Sequence, residues 1–151
     1  MKKYLKKVEQ QDCDLLFKWA NDDEVRKNAF NLGKIEYNNH LRWFNNKIKS
    51  KYVYIFILFE NSLPIGQIRL ELKDKNAEID YSIDLNHRAQ GNGTIILNLF
   101  EDRIRAMSLE VNKLVGKVKY SNIPSQKAFE KSNYIKKEKK NYVEYVKVIN
   151  K

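Results

Sequence analysis

"DYSIDLNHRAQGNGTIILNLFEDRI", Asp80 to Ile104, is the stretch on which the fold turns. It opens as a strand, with Tyr81, Ile83 and Leu85 alternating against Asp80, Ser82 and Asp84. Two close glycines follow, Gly91 and Gly93, and from about Thr94 to Met107 the apolar residues recur at helical spacing. A strand, a glycine loop and a helix in that order make a phosphate site. The first amides of a helix have no intrahelical partner and sit at the positive end of its dipole. Glycine lets an anion come close to such a backbone, and Arg88 can bracket it from the loop. Other nucleotide loops do not fit: there is no G-x-x-x-x-G-K-[ST] run, and Ile96 stands where a dinucleotide fingerprint needs a third glycine.

Outward from this junction the chain alternates in period. "KYLKKV" (Lys3 to Val8) reads as a first strand, and Asp12 or Asp14 caps a helix through "LLFKWAN". "NDDEVRKNAF" and "KIEYNNHLRWFNNKIKS" give two more helices. "YVYIFILF" (Tyr52 to Phe59) is β-branched and aromatic throughout, as in a strand buried on both faces. "IGQIRLEL", ending at Leu72, and "AEIDYSIDL", Ala77 to Leu85, are strands joined by the turn "KDKN". After the glycine helix come the strand "KLVGKVKY" (Lys113 to Tyr120), a short helix "IPSQKAFEKS" and a closing hairpin from "YIKKE" and "YVEYVKVI". The order β α α α β β β α β α β β makes residues 1–151 one mixed α/β (α+β) domain.

Composition narrows the classes. A chain of 151 residues with 42% hydrophobic residues, five glycines and two prolines can bury an ordinary core. No run reaches the roughly 18 apolar residues of a membrane span, and "MKKYLKKVEQQDCD" lacks the apolar core of a signal peptide. Cys13 is the only cysteine, which excludes an internal disulfide and a cysteine zinc cluster and suits a reducing cytoplasm. No residues have metal-ligand spacing, so no metal is expected. The formal net charge is +10, and Lys113 to Lys151 holds eleven lysines against three glutamates. Scattered lysines also serve as plain solubilising charge, but they favour a ligand carrying several phosphates. Nucleic-acid readers favour arginine forks and exposed aromatics on a defined face, and Lys113 to Lys151 has no arginine, so neither nucleic acid nor membrane is the expected partner.

"HRAQGNG" carries an R-x-x-G-x-G spacing, and "NIPSQKAFEKSNY" supplies Asn122, Ser125, Ala128, Phe129, Lys131 and Tyr134. Together these resemble the two signatures of the GNAT acetyltransferase superfamily, over essentially the whole chain. The resemblance implies a mixed, mostly antiparallel seven-stranded sheet with helices on both faces. Two parallel central strands, Ala77–Leu85 and Lys113–Tyr120, would splay apart around acetyl-CoA. Main-chain groups near Ile83 and Leu85 would then bond pantetheine, and amides from Gln90 through Gly91, Asn92 and Gly93 to Thr94 would take the diphosphate. Asn122 and Ser125 would steady the pantetheine, with Phe129 and Lys131 completing the cofactor side. "WANDDEVRKNAFN…I…NNHLRWF" and "PIGQIRLEL…AEIDYSID" are similar to the branch that N-acetylates 4-amino sugars on nucleotide carriers.

Alternation also places a polar face on the central strands. Gln67, Arg69 and Glu71 share one side of their strand, as do Glu78, Asp80, Ser82 and Asp84 of the next. A symmetric "KDKN" hairpin makes paired positions sum to 149, so Glu71 faces Glu78 and Arg69 faces Asp80. Opposed carboxylates in an interior sheet should raise the pKa of one of them, as a general base for an ammonium group requires. Glu78 is the first candidate for that base, with His40 as an alternative. Amides near Tyr81 and Ser82 can polarise a carbonyl oxygen. Many members of the superfamily have a proton-donating tyrosine where this chain has Phe129, so either Tyr81, Tyr134 or a water serves the leaving thiolate, or it leaves without much help. Arg26, Asn28, Phe30 and Trp43, with Arg69, Glu71 and Asp80, are the expected acceptor contacts: an aromatic ring for a uracil-like base, and Arg26 or a lysine for a diphosphate. The expected reaction is N-acetylation of a UDP-4-amino-4,6-dideoxy sugar in the cytoplasm, by an enzyme that can pair as a homodimer through its last strands. A protein N-terminal acetyltransferase and a non-enzymatic acyl-CoA or nucleic-acid binding module are the alternatives.

Overall fold

The computed structural model describes residues 2–149. Its strands are β1 (Lys3–Lys7), β2 (Val53–Glu60), β3 (Leu63–Lys73), β4 (Asn76–Ile83), β5 (Lys113–Val118), β6 (Ile135–Glu138) and β7 (Val143–Val148). Its helices are α1 (Cys13–Ala20), α2 (Asp23–Asn28), α3 (Tyr37–Lys49), α4 (Asn92–Ala106) and α5 (Ile123–Lys131), with 3-10 turns at Gln10–Asp12 and Leu85–His87. The expected order holds throughout. Neither expected cap at the start of α1 acts there. Asp12 instead accepts from the Glu9 amide at 2.7 Å, and Asp14 accepts from the Tyr37 hydroxyl at 2.6 Å. Among the described residues no helix is long and apolar enough to cross a membrane.

The seven strands form one sheet in the order β1-β2-β3-β4-β5-β7-β6. β3 and β4 pair antiparallel with Glu71 opposite Glu78, Arg69 opposite Asp80 and Gln67 opposite Ser82, the register of a symmetric hairpin. β4 and β5 run parallel, and their pairing stops at Ile79–Gly116. Beyond that point β4 stays with β3 as far as Ile83, and β5 stays with β7 as far as Val118, so the two strands splay.

β2 shows why helices are needed on both faces, since Ile55, Phe56, Ile57 and Leu58 are all buried. On one face, Ile55 and Ile57 pack with Cys13, Leu16 and Trp19 of α1 and Phe44 of α3. On the other, Phe56, Leu58, Ile68, Leu70 and Ile79 pack with Ile96, Leu97, Phe100 and Ile104 of α4. The first group of helices packs on the β1–β2 end of the sheet, which leaves the polar face of β3 and β4 partly open.

Phe129 locks α5 to the sheet. Its ring is 2% exposed and stacks on Tyr145 at 5.2 Å and 6°. Gly116 makes this possible: a Cβ there would lie 2.4 Å from Phe129 Cζ. The ring tip points at β5, so a tyrosine hydroxyl at 129 would run into the strand, and phenylalanine here is a packing choice.

Gly116→Ala should therefore destabilise the fold by about 1–3 kcal/mol in urea denaturation, the range for overpacked cores. Combining it with Phe129→Leu should recover part of that loss, and a double-mutant cycle measures the coupling.

Candidate active site

The glycine loop owes its shape to two left-handed residues, Ala89 at φ 59° and Gly91 at φ 81°. Such alternation turns successive N–H groups into one concavity. The first intrahelical bond of α4 that closes on the loop is Ile95 N–H to Gly91 O at 3.2 Å. The amides of Asn92, Gly93 and Thr94 precede it and have no intrahelical acceptor. The two glycines serve different needs. Gly91 has open space around a built Cβ and is needed for its φ, whereas at Gly93 a Cβ would lie 3.1 Å from the Tyr81 hydroxyl and 3.2 Å from Ala128 Cβ.

Side chains hold the loop from behind. Asn92 is buried, donates to His87 O at 2.9 Å and accepts from Lys3 Nζ at 2.8 Å. Arg88 does not bracket the loop mouth as expected. It donates to Asp22 Oδ2 at 2.6 Å and to Ile83 O at 3.0 Å, because the carboxylate at the N-cap of α2 is a nearer anion. Gln90 and Thr94 stay at the loop surface, with Gln90 donating to Asn86 O at 3.5 Å.

Two hydrogen bonds settle which backbone groups face the splay. Asp84 N–H bonds Ile65 O of β3 at 2.8 Å, so even-numbered β4 residues serve β3. Asn112 N–H bonds Lys75 O at 2.7 Å, so odd-numbered residues look toward β5. The amides of Tyr81 and Ile83 thus point into the cleft, and the amide of Ser82, expected to act there, is bound within the β3–β4 ladder. Leu85 is also displaced from its expected role. β4 ends at Ile83, Asp84 caps the following turn through Asn86 N–H at 3.1 Å, and Leu85 is exposed.

Across the cleft, Asn122 caps α5 by accepting from Ser125 N–H at 3.3 Å, and Tyr81 donates its hydroxyl to Ser125 Oγ at 3.2 Å. Burial pushes the Tyr81 phenol up to about 12, so it stays protonated at neutral pH. Tyr134 is less suited to a cleft role: its hydroxyl is buried without a hydrogen-bond partner, and burial, then Glu101, raises its pKa. Lys131 is exposed at the last turn of α5.

On the open face the opposed carboxylates turn to different cations. Glu71 turns to Lys47 Nζ at 2.6 Å and Arg69 Nε at 3.3 Å, and Glu78 turns to Lys73 at 2.9 Å and Lys117 at 3.9 Å. Burial would raise the Glu71 pKa, but the Lys47 hydrogen bond and the charges of Arg69, Lys47 and Lys73 outweigh it, and the pKa is lowered. The repulsion expected to create a raised pKa is relieved instead by cations. Arg69 reaches Asp80 at only 3.8 Å, with the Asp80 side chain 63% exposed, so the expected buried pair is a surface contact.

His40 is buried, and its Nε2 lies 2.9 Å from Cys13 O, an acceptor only, which fixes Nε2 as the donor. Its ring stacks on Trp43 at 5.6 Å, and Trp43 carries the Arg69 guanidinium at 5.1 Å. Trp43, Arg69, Glu71 and Asp80 thus form one group over β3 and β4. Arg26, Asn28 and Phe30 lie apart, toward β7: Phe30 is 54% exposed and edge-on to Tyr142 at 5.9 Å. Arg26 donates to the main-chain oxygens of Asn31 and Gly33 at 3.2 and 3.3 Å. Burial raises the Cys13 thiol, which suits packing. Sequence reasoning missed Lys47, Lys73 and Lys117 as partners of the carboxylates. Lys73 was within reach of it, being on the face of Arg69 and Glu71 by alternation.

The model of the acetyltransferase (GNAT) domain matches residues 4–134, and the chain belongs to that family. No curated protein matches by sequence. Among solved structures, the aminoglycoside acetyltransferase AAC(6')-Ib with coenzyme A has TM-score 0.84 and 15% identity, over 97% of this chain and 95% of that one. The Campylobacter jejuni N-acetyltransferase PseH with acetyl coenzyme A has TM-score 0.75 and 21% identity, over 99% of this chain and 100% of that one. A Salmonella typhimurium acetyltransferase that modifies the N-terminal serine of ribosomal protein L7/L12 has TM-score 0.80 and 13% identity, over 97% and 94%. These similarities agree with the seven-stranded sheet and its splay. The protein is an acetyl-CoA-dependent N-acetyltransferase.

Gly91→Ala and Gly93→Ala should both weaken acetyl-CoA binding in calorimetry, the first through φ strain of about 1 kcal/mol. Only Gly93→Ala should also disturb the Tyr81 hydroxyl, and Tyr81→Phe should relieve it. Glu71→Gln tests the ion cluster. A lowered folded pKa stabilises above the ordinary carboxylate range and loses that contribution as pH falls through the folded value. The stability gap between wild type and Glu71→Gln should be full at neutral pH and should vanish on acidification.

Proposed function

We propose that this acetyl-CoA-dependent N-acetyltransferase acts on the amino group of a nucleotide-linked amino sugar of the UDP-4-amino-4,6-dideoxy type. The observation that carries the reading is the half-open polar face beside the splay, where Lys47, Arg69, Lys73 and Lys117 surround Glu71 and Glu78. Cations suit a diphosphate, and the exposed Phe30 beside Tyr142 suits a stacked base. The similarity to PseH is in keeping with this, and the formal charge of +10 disfavours an oligocationic acceptor. An N-terminal peptide is the rival acceptor; it calls for an open groove with acidic or main-chain contacts.

Acetyl-CoA supplies the acetyl group as a thioester. The free amides of Asn92 to Thr94 fit its diphosphate, and the main-chain groups of Tyr81 and Ile83 fit a pantetheine laid along β4, save that Ile83 O is already bound by Arg88. Glu78 stands one position before the strands part and takes the proton from the attacking amine, directly or through a water. The Tyr81 amide donates where negative charge gathers on the carbonyl oxygen. The Tyr81 hydroxyl, protonated and held by Ser125, returns a proton to the departing sulfur in place of the tyrosine that Phe129 replaces. Cys13 is not needed, since the amine attacks the thioester directly.

CoA release should be seen with the UDP-linked amino sugar and not with N-terminal peptides or buffer. Glu78→Gln should lower kcat by about 10²–10⁴-fold, the usual worth of a general base. Turnover with peptides alone would move the enzyme to protein substrates, and full activity in Glu78→Gln would assign the base elsewhere.

A further inference from the structure

The face of the sheet opposite α4 and α5 is more open over β4, β5, β7 and β6, since α1 and α3 pack with Ile55 and Ile57 of β2. β5 reads "KLVGKV", and its alternation puts Leu114, Gly116 and Val118 into the core and Lys113, Val115 and Lys117 on this open face. The register makes rows across the strands. Glu78, Val115 and Val146 are neighbours in one row, and Lys117, Glu144 and Lys137 in the next. Lys113, Asn76 and Lys73 close the other side. The result is a depression of about 240 Å³, floored by Val115 and Val146 and rimmed by Lys73, Lys113, Lys117 and Lys137.

Four lysines face two glutamates there, Glu78 and Glu144, a local net of +2. Lys73 and Lys117 answer Glu78, whereas Lys113 and Lys137 form no ion pair among the described residues. The depression begins where the β4–β5 pairing ends, and Glu78 belongs to both places. Lys113 lies two residues further from the splay than Val115, and Lys137 two strands across from Lys117, so a sugar whose amine meets Glu78 can carry its phosphates to them. Arg26, the other cation considered for an anionic carrier, is held by Asn31 O and Gly33 O.

We infer that this lysine-rimmed depression is a phosphate subsite, taking the diphosphate that joins the acceptor sugar to its nucleotide. The inference rests on the proposed acceptor class and adds where its charge is held. Lys113 and Lys137 supply the cations that no carboxylate among the described residues pairs with. Lys117 reaches Glu78 and also lies 5.9 Å from the Tyr142 ring, linking the subsite to the aromatic pair.

The test uses the Lys113→Ala/Lys137→Ala double variant, with Lys136→Ala as a control, since Lys136 lies on the same strand as Lys137 but outside the depression. Calorimetry with UDP and with inorganic pyrophosphate should show binding to the wild type and to Lys136→Ala. Binding to the double variant should be weaker by about tenfold or more, as expected when charge-assisted contacts to phosphate are lost. Glu144→Gln, which removes an opposing charge, should tighten both ligands. The KM for the UDP-linked amino sugar should rise in the double variant, with acetyl-CoA affinity unchanged. If UDP and pyrophosphate bind the double variant as they bind wild type, or fail to bind wild type at millimolar concentration, the subsite is wrong. Sugar turnover that is indifferent to both lysines overturns the subsite and leaves the acceptor class intact. Lysine-dependent UDP binding without any sugar turnover does the reverse.

Discussion

Everything in the site depends on two parallel strands that stop pairing. β4 and β5 share a ladder only from Asn76–Lys113 to Ile79–Gly116, yet each continues beside its other neighbour. The odd-numbered groups of β4 beyond Ile79 are then turned toward a gap. Main-chain groups left unbonded in a dry interior would be expensive, so the gap must open to water or to a ligand. What keeps it open is packing. Tyr81 reaches α5 through Ser125 and approaches Gly93 of α4, while Phe129 lies edge-on to Tyr81 at 5.9 Å and flat on Tyr145. The aromatic group that binds α5 to the sheet also lines the cleft.

That arrangement explains why Phe129 is not simply a tyrosine with its hydroxyl removed. Its tip is directed at Gly116, so the space a hydroxyl would need is filled by β5 itself. The hydroxyl nearest this ring on the cleft side is carried by Tyr81, from the opposite strand. Position in a motif and position in space have come apart here.

Much of this was legible in the sequence. The short "KDKN" turn left only one symmetric pairing, so the cross-strand partners of β3 and β4 followed from counting. The glycine loop and its helix followed from the residues that special backbone conformations demand. What counting could not supply was the parallel offset of β4 on β5, which no tight turn sets, and so Lys117 as a partner of Glu78 was hidden. The carboxylate pair was read as a conflict because its cations come from α3, the end of β3 and β5. Arg88 was assigned to the loop mouth because it stands beside it in sequence, whereas Asp22 lies 66 residues away and only 2.6 Å from its guanidinium. His40 was singled out by its place on a helix, whereas the carbonyl of Cys13 at 2.9 Å, which decides its tautomer, is 27 residues away in sequence.

The two ends of the cleft differ in how they hold charge. At the loop the donors are backbone amides, fixed by φ values and by the Lys3–Asn92–His87 linkage behind them. Their geometry is set by the fold and cannot drift, which suits a ligand that is always the same. On the open sheet face the donors are lysines on long stems, mobile point charges over an apolar floor. Such a surface tolerates variation in what it holds and is screened by salt, whereas amides in a loop are screened less. The split matches the division of labour in a transferase, which takes one invariant donor and a separate acceptor. The lysine-rich end of the chain, whose eleven lysines begin with Lys113 on β5, supplies much of that second kind of surface.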